Sequence, residues 1–240
     1  MKYVAFVGTN GPQPPEAVEA MNRDFPAYFE EMDRRGVRLF GRELEFPDKA
    51  VTVRVRGDET LVTDGPFIET KEYLAGLDLL ECVDLSEAIE VESKSPVARF
   101  LPFEIRPSEQ LRLGAAATAF GERDDTAGRP FLLTVWIEGT PATPLDEAAV
   151  NQECDAWRQD LDARGSFIVG STLGGPETAR TLRPRGQETE IIDGPFLDTY
   201  EFIAGIDVVS CADRQQAIEL AAAHPIARYH AIEVRPFWSE

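Results

Sequence analysis

The chain has only two histidines, His224 and His230. Imidazole is the side chain whose ordinary titration lies nearest neutral pH. Neither histidine stands at a metal-binding spacing from cysteine or carboxylate, so no metal is expected. Several carboxylates recur 129 positions apart: Asp64 and Asp193, Glu72 and Glu201, Asp78 and Asp207. A carboxylate close to His224 can take part in general acid–base chemistry, and the expected catalytic set is His224, Asp193 and Asp207. Arg106 and Arg235 recur at the same spacing, and a guanidinium fork suits a carboxylate-bearing ligand. Together with Asp64, Glu72, Asp78 and Glu201 they make the expected ligand-binding set. Each residue also has a plainer reading. His224 can be a polar helix end, Asp64 and Asp193 turn formers, and the Glu–Arg combinations structural ion pairs.

The recurrence extends far beyond these residues. Residues 1–107 align with 130–236 without a gap, and residues 64–107 alone hold 20 identities in 44 positions. VTDGPFIETKEYLAGLDLLECVD is answered by IIDGPFLDTYEFIAGIDVVSCAD. Self-similarity at one fixed offset implies that one supersecondary unit has been duplicated. The domain plan is therefore 1–107 for the first repeat, 108–129 for a linker with one short helical turn, and 130–240 for the second repeat.

Each repeat reads as strand, helix, strand, hairpin, strand, helix, strand. A helix over about 16–35 ends at Gly36, and its counterpart over about 145–164 ends at Gly165; glycine takes the left-handed cap without strain. Asp84 with Glu87, and Asp213 with Gln216, stand at capping-box spacing. Pro184 has no N–H for a ladder, which predicts an edge or irregular strand there. In Asp-Gly-Pro-Phe, Pro66 cannot donate, so the Asp64 carboxylate is expected to accept from Phe67 or beyond. The phenylalanine then anchors a rigid turn, and the alternative is a turn that aims Asp64 and Asp193 into a cavity.

This order is an α+β, ferredoxin-like plan with an inserted hairpin. Two helices cover one face of each antiparallel sheet and leave the other face in need of a cover. The expected answer is a pseudo-dimer of the two repeats, like a dimeric α/β barrel; a homodimer is the alternative. Along the strand after the turn, Leu74, Gly76, Asp78, Leu80 and Cys82 share one face. Leu77, Leu79 and Val83 share the other, which is the more apolar and is expected to lie under the helices. Asp78 and Asp207 would then line a polar cavity between the sheets.

Composition narrows the partners. The net charge is −19, divided as −8 over residues 1–107 and −9 over 130–236, so it is no tail. Without a basic stripe, nucleic acid and anionic membrane are poor partners. No apolar run reaches membrane-spanning length and no leader segment is evident, so a cytoplasmic location is expected. Cys82, Cys154 and Cys211 form neither a CxxC pair nor a disulfide framework. No phosphate loop, dinucleotide fingerprint or Ser-His-Asp elbow is present, and no cofactor is expected.

The set TVRVRGDETLVTDGPFIETKEYLAG, the capped helix and FEIRP resembles the YCII-related proteins of the DGPF type, over both repeats. The resemblance implies a dimeric α/β-barrel-like fold, no fixed reaction, and an association of some members with extracytoplasmic-function sigma factors. It also implies a His-Asp pair in some relatives, yet neither first helix carries a histidine. His-Pro late in the second helix survives only as His224-Pro225; the first repeat has Ser95-Pro96. Where the family has an aromatic after Ala-Gly, Asp78 and Asp207 stand. The leading expectation is small-molecule binding. A cofactor-free isomerase, lyase or hydrolase using Asp and His is one alternative, and a module that engages a sigma factor is the other.

Overall fold

The computed structural model describes residues 1–122, 128–139, 145–186, 188–197 and 199–239. The first repeat opens with β1 (Lys2–Thr9) and α1 (Pro15–Arg35). Then follow β2 (Arg38–Glu43), the hairpin β3 (Val51–Arg56) and β4 (Glu59–Asp64), β5 (Tyr73–Glu81), α2 (Leu85–Ser93) and β6 (Phe103–Pro107). The connecting segment contributes β7 (Arg112–Leu113) and the short α3 (Ala117–Gly121). The second repeat runs β8 (Arg129–Ile137), α4 (Glu147–Ala163), β9 (Phe167–Thr172), the hairpin β10 (Arg180–Arg185) and β11 (Glu188–Asp193), β12 (Phe202–Cys211), α5 (Arg214–Ala223) and β13 (Ala231–Pro236).

Local chemistry sets the helix ends as expected. Gly36 and Gly165 are left-handed at φ 65° and 70°. Asp84 accepts from the Glu87 N–H at 2.9 Å, and Glu87 reaches back to the Val83 N–H at 2.7 Å. Asp213 and Gln216 repeat the arrangement. Each box satisfies two helix-end donors that would otherwise lack partners. Among the described residues no helix is long and apolar enough to cross a membrane.

The sheets are antiparallel, one of six strands ordered β11-β10-β6-β1-β5-β2 and one of seven ordered β4-β3-β13-β8-β12-β9-β7. Each sheet contains the hairpin of the other repeat. β10 pairs with β6 through Leu182 and Phe103, and β3 pairs with β13 through Val53 and Ile232. The chain divides accordingly into two compact units. The first is Met1–Glu43, Thr70–Glu109 and Gly174–Asp198; the second is Leu44–Glu69, Gln110–Leu173 and Thr199–Glu240. β10 is thus an interior strand, not an edge. Pro184 is tolerated because the β6 ladder covers only Arg180–Leu182 and ends before it.

Each unit has its own helix-side core. In the first, Tyr28 and Met32 of α1 and Ala88 and Val91 of α2 pack on Tyr3, Ala5, Leu80 and Cys82, with Leu182 of the incoming hairpin. In the second, Leu161 of α4 and Ala217 and Ala221 of α5 pack on Val209, Cys211, Phe131 and Leu133, with Val51 and Val53 of the other hairpin.

The repeated motifs explain the docking of the hairpins. Glu104 in Phe-Glu-Ile-Arg-Pro accepts from the Phe196 N–H at 3.1 Å and from Arg106 Nη1 at 3.1 Å. Arg106 Nε donates to the Gly174 carbonyl at 3.0 Å. In the second unit Glu233 accepts from the Phe67 N–H at 3.0 Å and forms an ion pair with Arg235 at 2.8 Å. One repeat's Glu-X-Arg-Pro therefore holds the other repeat's Asp-Gly-Pro-Phe. The expected Asp64-to-Phe67 bond is not formed, because the Phe67 donor is taken by Glu233. Phe196 is buried over Gly8, where a side chain would collide with its ring. Gly65 and Gly194 turn at φ 100° and 101°, a region that favours glycine.

Candidate functional site

In the second unit the Asp207 carboxylate is sealed among partners. Arg158 of α4 donates through Nε at 2.7 Å and Nη2 at 3.1 Å, and His224 Nε2 lies 3.2 Å from Oδ2. His224 Nδ1 accepts from the Ile226 N–H at 3.2 Å. This bond assigns the ring proton to Nε2, where it serves Asp207. Trp157 closes the ring edge-on, with centroids 4.6 Å apart. Burial pushes the Asp207 carboxyl up, but Arg158 and His224 outweigh it and hold the group below the usual carboxylate range. Both imidazole nitrogens of a residue that is 2% exposed are engaged. The cluster is charge-balanced and closed, as a structural lock would be.

The first unit builds the matching pair by another route. Arg38 of β2 donates through Nε to Asp78 Oδ1 at 2.7 Å, and its guanidinium lies 4.8 Å from the centre of the Phe29 ring. The repeat aligns Phe29 with Arg158 and Arg38 with Phe167. Arginine and phenylalanine have exchanged places, so the guanidinium reaches the same aspartate from a strand in one unit and from a helix in the other. The duplicated glycines Gly41 and Gly170 have the same cause. A Cβ at Gly41 would overlap Asp78 Oδ1 and Arg38 Nη2, and one at Gly170 would overlap Asp207 Oδ1.

From here the units diverge. Where the second has Ala221 and His224, the first has Glu92 and Ser95. Glu92 is 0% exposed, and among the described residues neither of its carboxylate oxygens has a hydrogen-bond partner. Burial, and then the neighbouring Asp78, push its carboxyl well above the ordinary range, against Arg38. Burial, then Glu92 and Asp78, also push the Tyr28 hydroxyl up, against Arg38 and the neighbouring Ser95 hydroxyl, and among the described residues that buried oxygen makes no hydrogen bond of ordinary geometry. Tyr28 and Ser95 line a cleft of about 350 Å³ between α1 and the end of α2, together with the apolar Met32 and Pro96 and the charged Asp24, Glu31, Lys94 and Arg99. The Ser95 N–H bonds the Glu92 carbonyl at 3.0 Å, which fixes the backbone at the end of α2.

Glu92→Gln tests this reading of the acid. A carboxyl raised by folding contributes stability that is complete below its unfolded value of 4.5 and is lost as pH rises through the folded value. Glutamine keeps the shape and has no charge to bury. The variant is expected to match the parent near pH 4.5 and to exceed it at pH 8 by roughly 1–3 kcal/mol in urea unfolding. Equal stability of the two at pH 8 would contradict a carboxyl raised in the fold.

The sequence-derived face assignment is reversed. Asp78 and Asp207 lie with Leu80, Cys82, Val209 and Cys211 on the helix-covered face of their own sheets. Asp64 and Asp193 do not aim into a cavity. Their carboxylates are 89% and 88% exposed and pair with Arg214 and Arg180. Glu72 pairs with Arg183 at 2.9 Å and not with Arg106, which together with Arg235 belongs to the buried motif bonds. Thr199 donates to the Glu201 carbonyl at 2.7 Å. His230 is also buried, and burial pulls its imidazole down. Burial pushes the Cys82 and Cys154 thiols up to about 11 and Cys211 up to about 12, so all three suit packing. Glu92, Tyr28 and Arg38 were not singled out by the sequence reading. The signal available was the alignment itself, in which Glu92 meets Ala221, Ser95 meets His224 and Arg38 meets Phe167.

The duplicated α+β units, the exchanged motifs and the buried acid–arginine pairs define a class of tandem ferredoxin-like proteins. The YCII-related domain matches residues 1–109 and again 132–239, and the chain belongs to that family. An uncharacterized protein of Rhizobium meliloti (strain 1021), R00369, is 51% identical over 41 residues, which are 17% of this chain and 33% of that protein. The chain thus matches about a third of that relative's length. Among solved structures, a putative chlorite dismutase, TA0507, aligns over 99% of this chain and 95% of its own with 9% identity and a TM-score of 0.42. An anthrone oxidase-like protein aligns over 99% and 91% with 13% identity and a TM-score of 0.31.

Proposed function

We propose that the protein binds a small polar molecule in the cleft of the first unit, between α1 and the end of α2. The observation that carries this is the buried hydroxyl of Tyr28, a residue of the cleft lining, which among the described residues makes no hydrogen bond of ordinary geometry; the buried Glu92 carboxyl lies near Tyr28 and outside the cleft lining. Buried polar groups normally have partners, and those that lack one point to a ligand or water that supplies it. The second unit supports the reading by contrast. There the equivalent positions are filled by His224, Trp157 and Ala221, and Asp207 is fully served from within the protein. Trp157 Nε1, at the position of Tyr28, is likewise buried without a hydrogen-bond partner among the described residues, so the contrast lies in His224 and Ala221, which stand where the first unit has Ser95 and Glu92. Met32 and Pro96 give an apolar wall for the body of such a molecule, and Tyr28 and Ser95 address its polar end.

The test uses four compounds with one phenylethyl body and different heads: phenethylamine, 2-phenylethanol, 3-phenylpropanamide and 3-phenylpropanoate. Amide chemical shifts are recorded during titration at pH 7.5. At least one compound is expected to give saturable shifts centred on Tyr28 and Ser95, which a Ser95→Trp variant abolishes. Shifts with none of them, or shifts centred elsewhere, would remove the reading.

A further inference from the structure

The outer edge of the same strand is covered in one unit and open in the other. In the second unit β7 lies antiparallel on β9, with Arg112 opposite Gly170 and Leu113 opposite Val169. The Gly114 N–H then donates to the Ile168 carbonyl at 2.8 Å, and the Ala115 N–H to Asp162 Oδ1 at 2.8 Å. Ile168 and Gly170 are buried under this cover. In the first unit the aligned strand β2 ends its sheet. Leu39 and Gly41, which align with Ile168 and Gly170, are half-buried, and among the described residues no strand pairs with their outer side. The isolated bridge between Leu44 and Phe237 lies beyond the end of β2.

The open edge keeps the seat that the covered one uses. Gly41 faces Asp78 across the ladder as Gly170 faces Asp207. The Glu81 N–H meets the Val37 carbonyl at 2.8 Å, as the Ser210 N–H meets the Ser166 carbonyl at 2.8 Å. The helix before each strand ends alike, with the Gly36 N–H on the Asp33 carbonyl and the Gly165 N–H on the Asp162 carbonyl. Asp33 therefore stands where Asp162 receives the Ala115 N–H. It is exposed, and among the described residues no ion pair or hydrogen bond engages its carboxylate.

Backbone, more than side chains, specifies the occupant. Leu113 is 51% exposed even on the covered edge. The residue after it has to be glycine, because a Cβ at Gly114 would overlap the Phe167 carbonyl oxygen and crowd Asp162 Oδ1. Arg38 and Asp33 carry the same two groups in the first unit. Arg112 pairs with Asp155 at 2.6 Å, but Pro26 aligns with Asp155, so the first unit has no matching partner for an arginine. A second copy of this chain could supply the segment only by uncovering its own β9.

We propose that β2 is a docking edge for an extended peptide of another protein, which adds as an antiparallel strand with a glycine opposite Leu39 and the next N–H on Asp33. An open strand edge offers N–H and C=O groups to such an addition. None of Leu39, Gly41 and Asp33 lines the cleft described above, so the two sites are independent.

The probe is the end-blocked peptide Gln-Leu-Arg-Leu-Gly-Ala-Ala, the sequence of residues 110–116, titrated into the full chain while amide chemical shifts are recorded. Saturable shifts centred on Leu39 and Gly41 are expected. Replacing the peptide's glycine by valine should weaken binding at least about tenfold. Asp33→Ala, a change at an exposed position, should weaken it at least about threefold. Replacing the peptide's arginine by alanine should change it less than about twofold. Absence of saturable shifts at Leu39 and Gly41 would overturn the proposal. Shifts confined to Val169 and Gly170 would also overturn it, because they would report displacement of β7 from its own edge. Binding undiminished by either the valine peptide or Asp33→Ala would overturn the proposed seat. Shifts at Leu39 and Gly41 that follow protein concentration without peptide would assign the edge to a second copy and overturn the peptide partner.

Discussion

Asp207→Ala is expected to lower folding stability by about 3–5 kcal/mol, because it removes one member of a buried charged set and strands the others. Arg158 would keep its guanidinium at 8% side-chain exposure with its main acceptor gone, and His224 Nε2–H would lose its acceptor at 2% exposure. The cavity left by the carboxylate adds to the loss. Asp78→Ala provides the comparison. Its partner Arg38 is 19% exposed and Asp78 itself 14%, so water can reach part of what is uncovered. The expected loss there is smaller, about 1–3 kcal/mol. Urea unfolding of both variants at pH 7 measures the difference. A loss below about 1 kcal/mol for Asp207→Ala would mean that the cluster gains nothing over its solvated parts.

Glu104→Ala is expected to have an effect of similar size, about 3–5 kcal/mol, for a different reason. Glu104 joins two elements that are distant in sequence. It accepts from Arg106, which is 1% exposed, and from the backbone N–H of Phe196. The buried carboxyl is raised by its burial against the pull of Arg106 and the Phe196 N–H, so the pair already sits in a demanding place. Without Glu104 the turn that carries Phe196 loses its anchor. Native-state hydrogen exchange should then report faster opening of the β10–β11 hairpin than of β1 and β5. Glu72→Ala removes a pair at the same hairpin that is about one-third exposed on both sides. Its expected cost is about 1 kcal/mol or less. Equal costs for the two variants would show that burial does not set the strength of the Glu104 contact.

Much of the fold was legible in the sequence because local chemistry and the repeat specify it. Gly36, Gly165, Asp84 and Asp213 mark helix ends through interactions that span a few residues. Hairpin exchange was not legible. The alternation in Val51–Arg56 is the same whichever sheet edge receives it, and the deciding contact is with Val234 and Ile232 far along the chain. The face of β5 was misjudged because both faces are buried: Leu77 and Leu79 on one, Leu80 and Cys82 on the other. Period-two reasoning assigns an inside only when one side is polar. The acid pairs were visible as Asp78 and Asp207, but their partners were not, since Arg38 and Arg158 occupy different positions in their repeats. An exchange of Arg with Phe at two aligned positions is the trace such a compensation leaves.

The exchanged hairpins also set a timetable for synthesis. The six-stranded sheet cannot be completed until β10 and β11 have left the ribosome, although β1 to β6 lie within the first 107 residues. Val53 waits longer, for Ile232, 179 residues downstream. At ribosomal speeds of about 5–20 residues per second, that interval is on the order of ten seconds or more. Throughout it the nascent chain holds a hairpin with no sheet to join and a sheet with an uncovered edge, the kind of surface that aggregates or recruits chaperones. Cleavage of the gene between the repeats would not yield two smaller proteins. It would yield two incomplete ones, each able to finish only by borrowing a hairpin from the other.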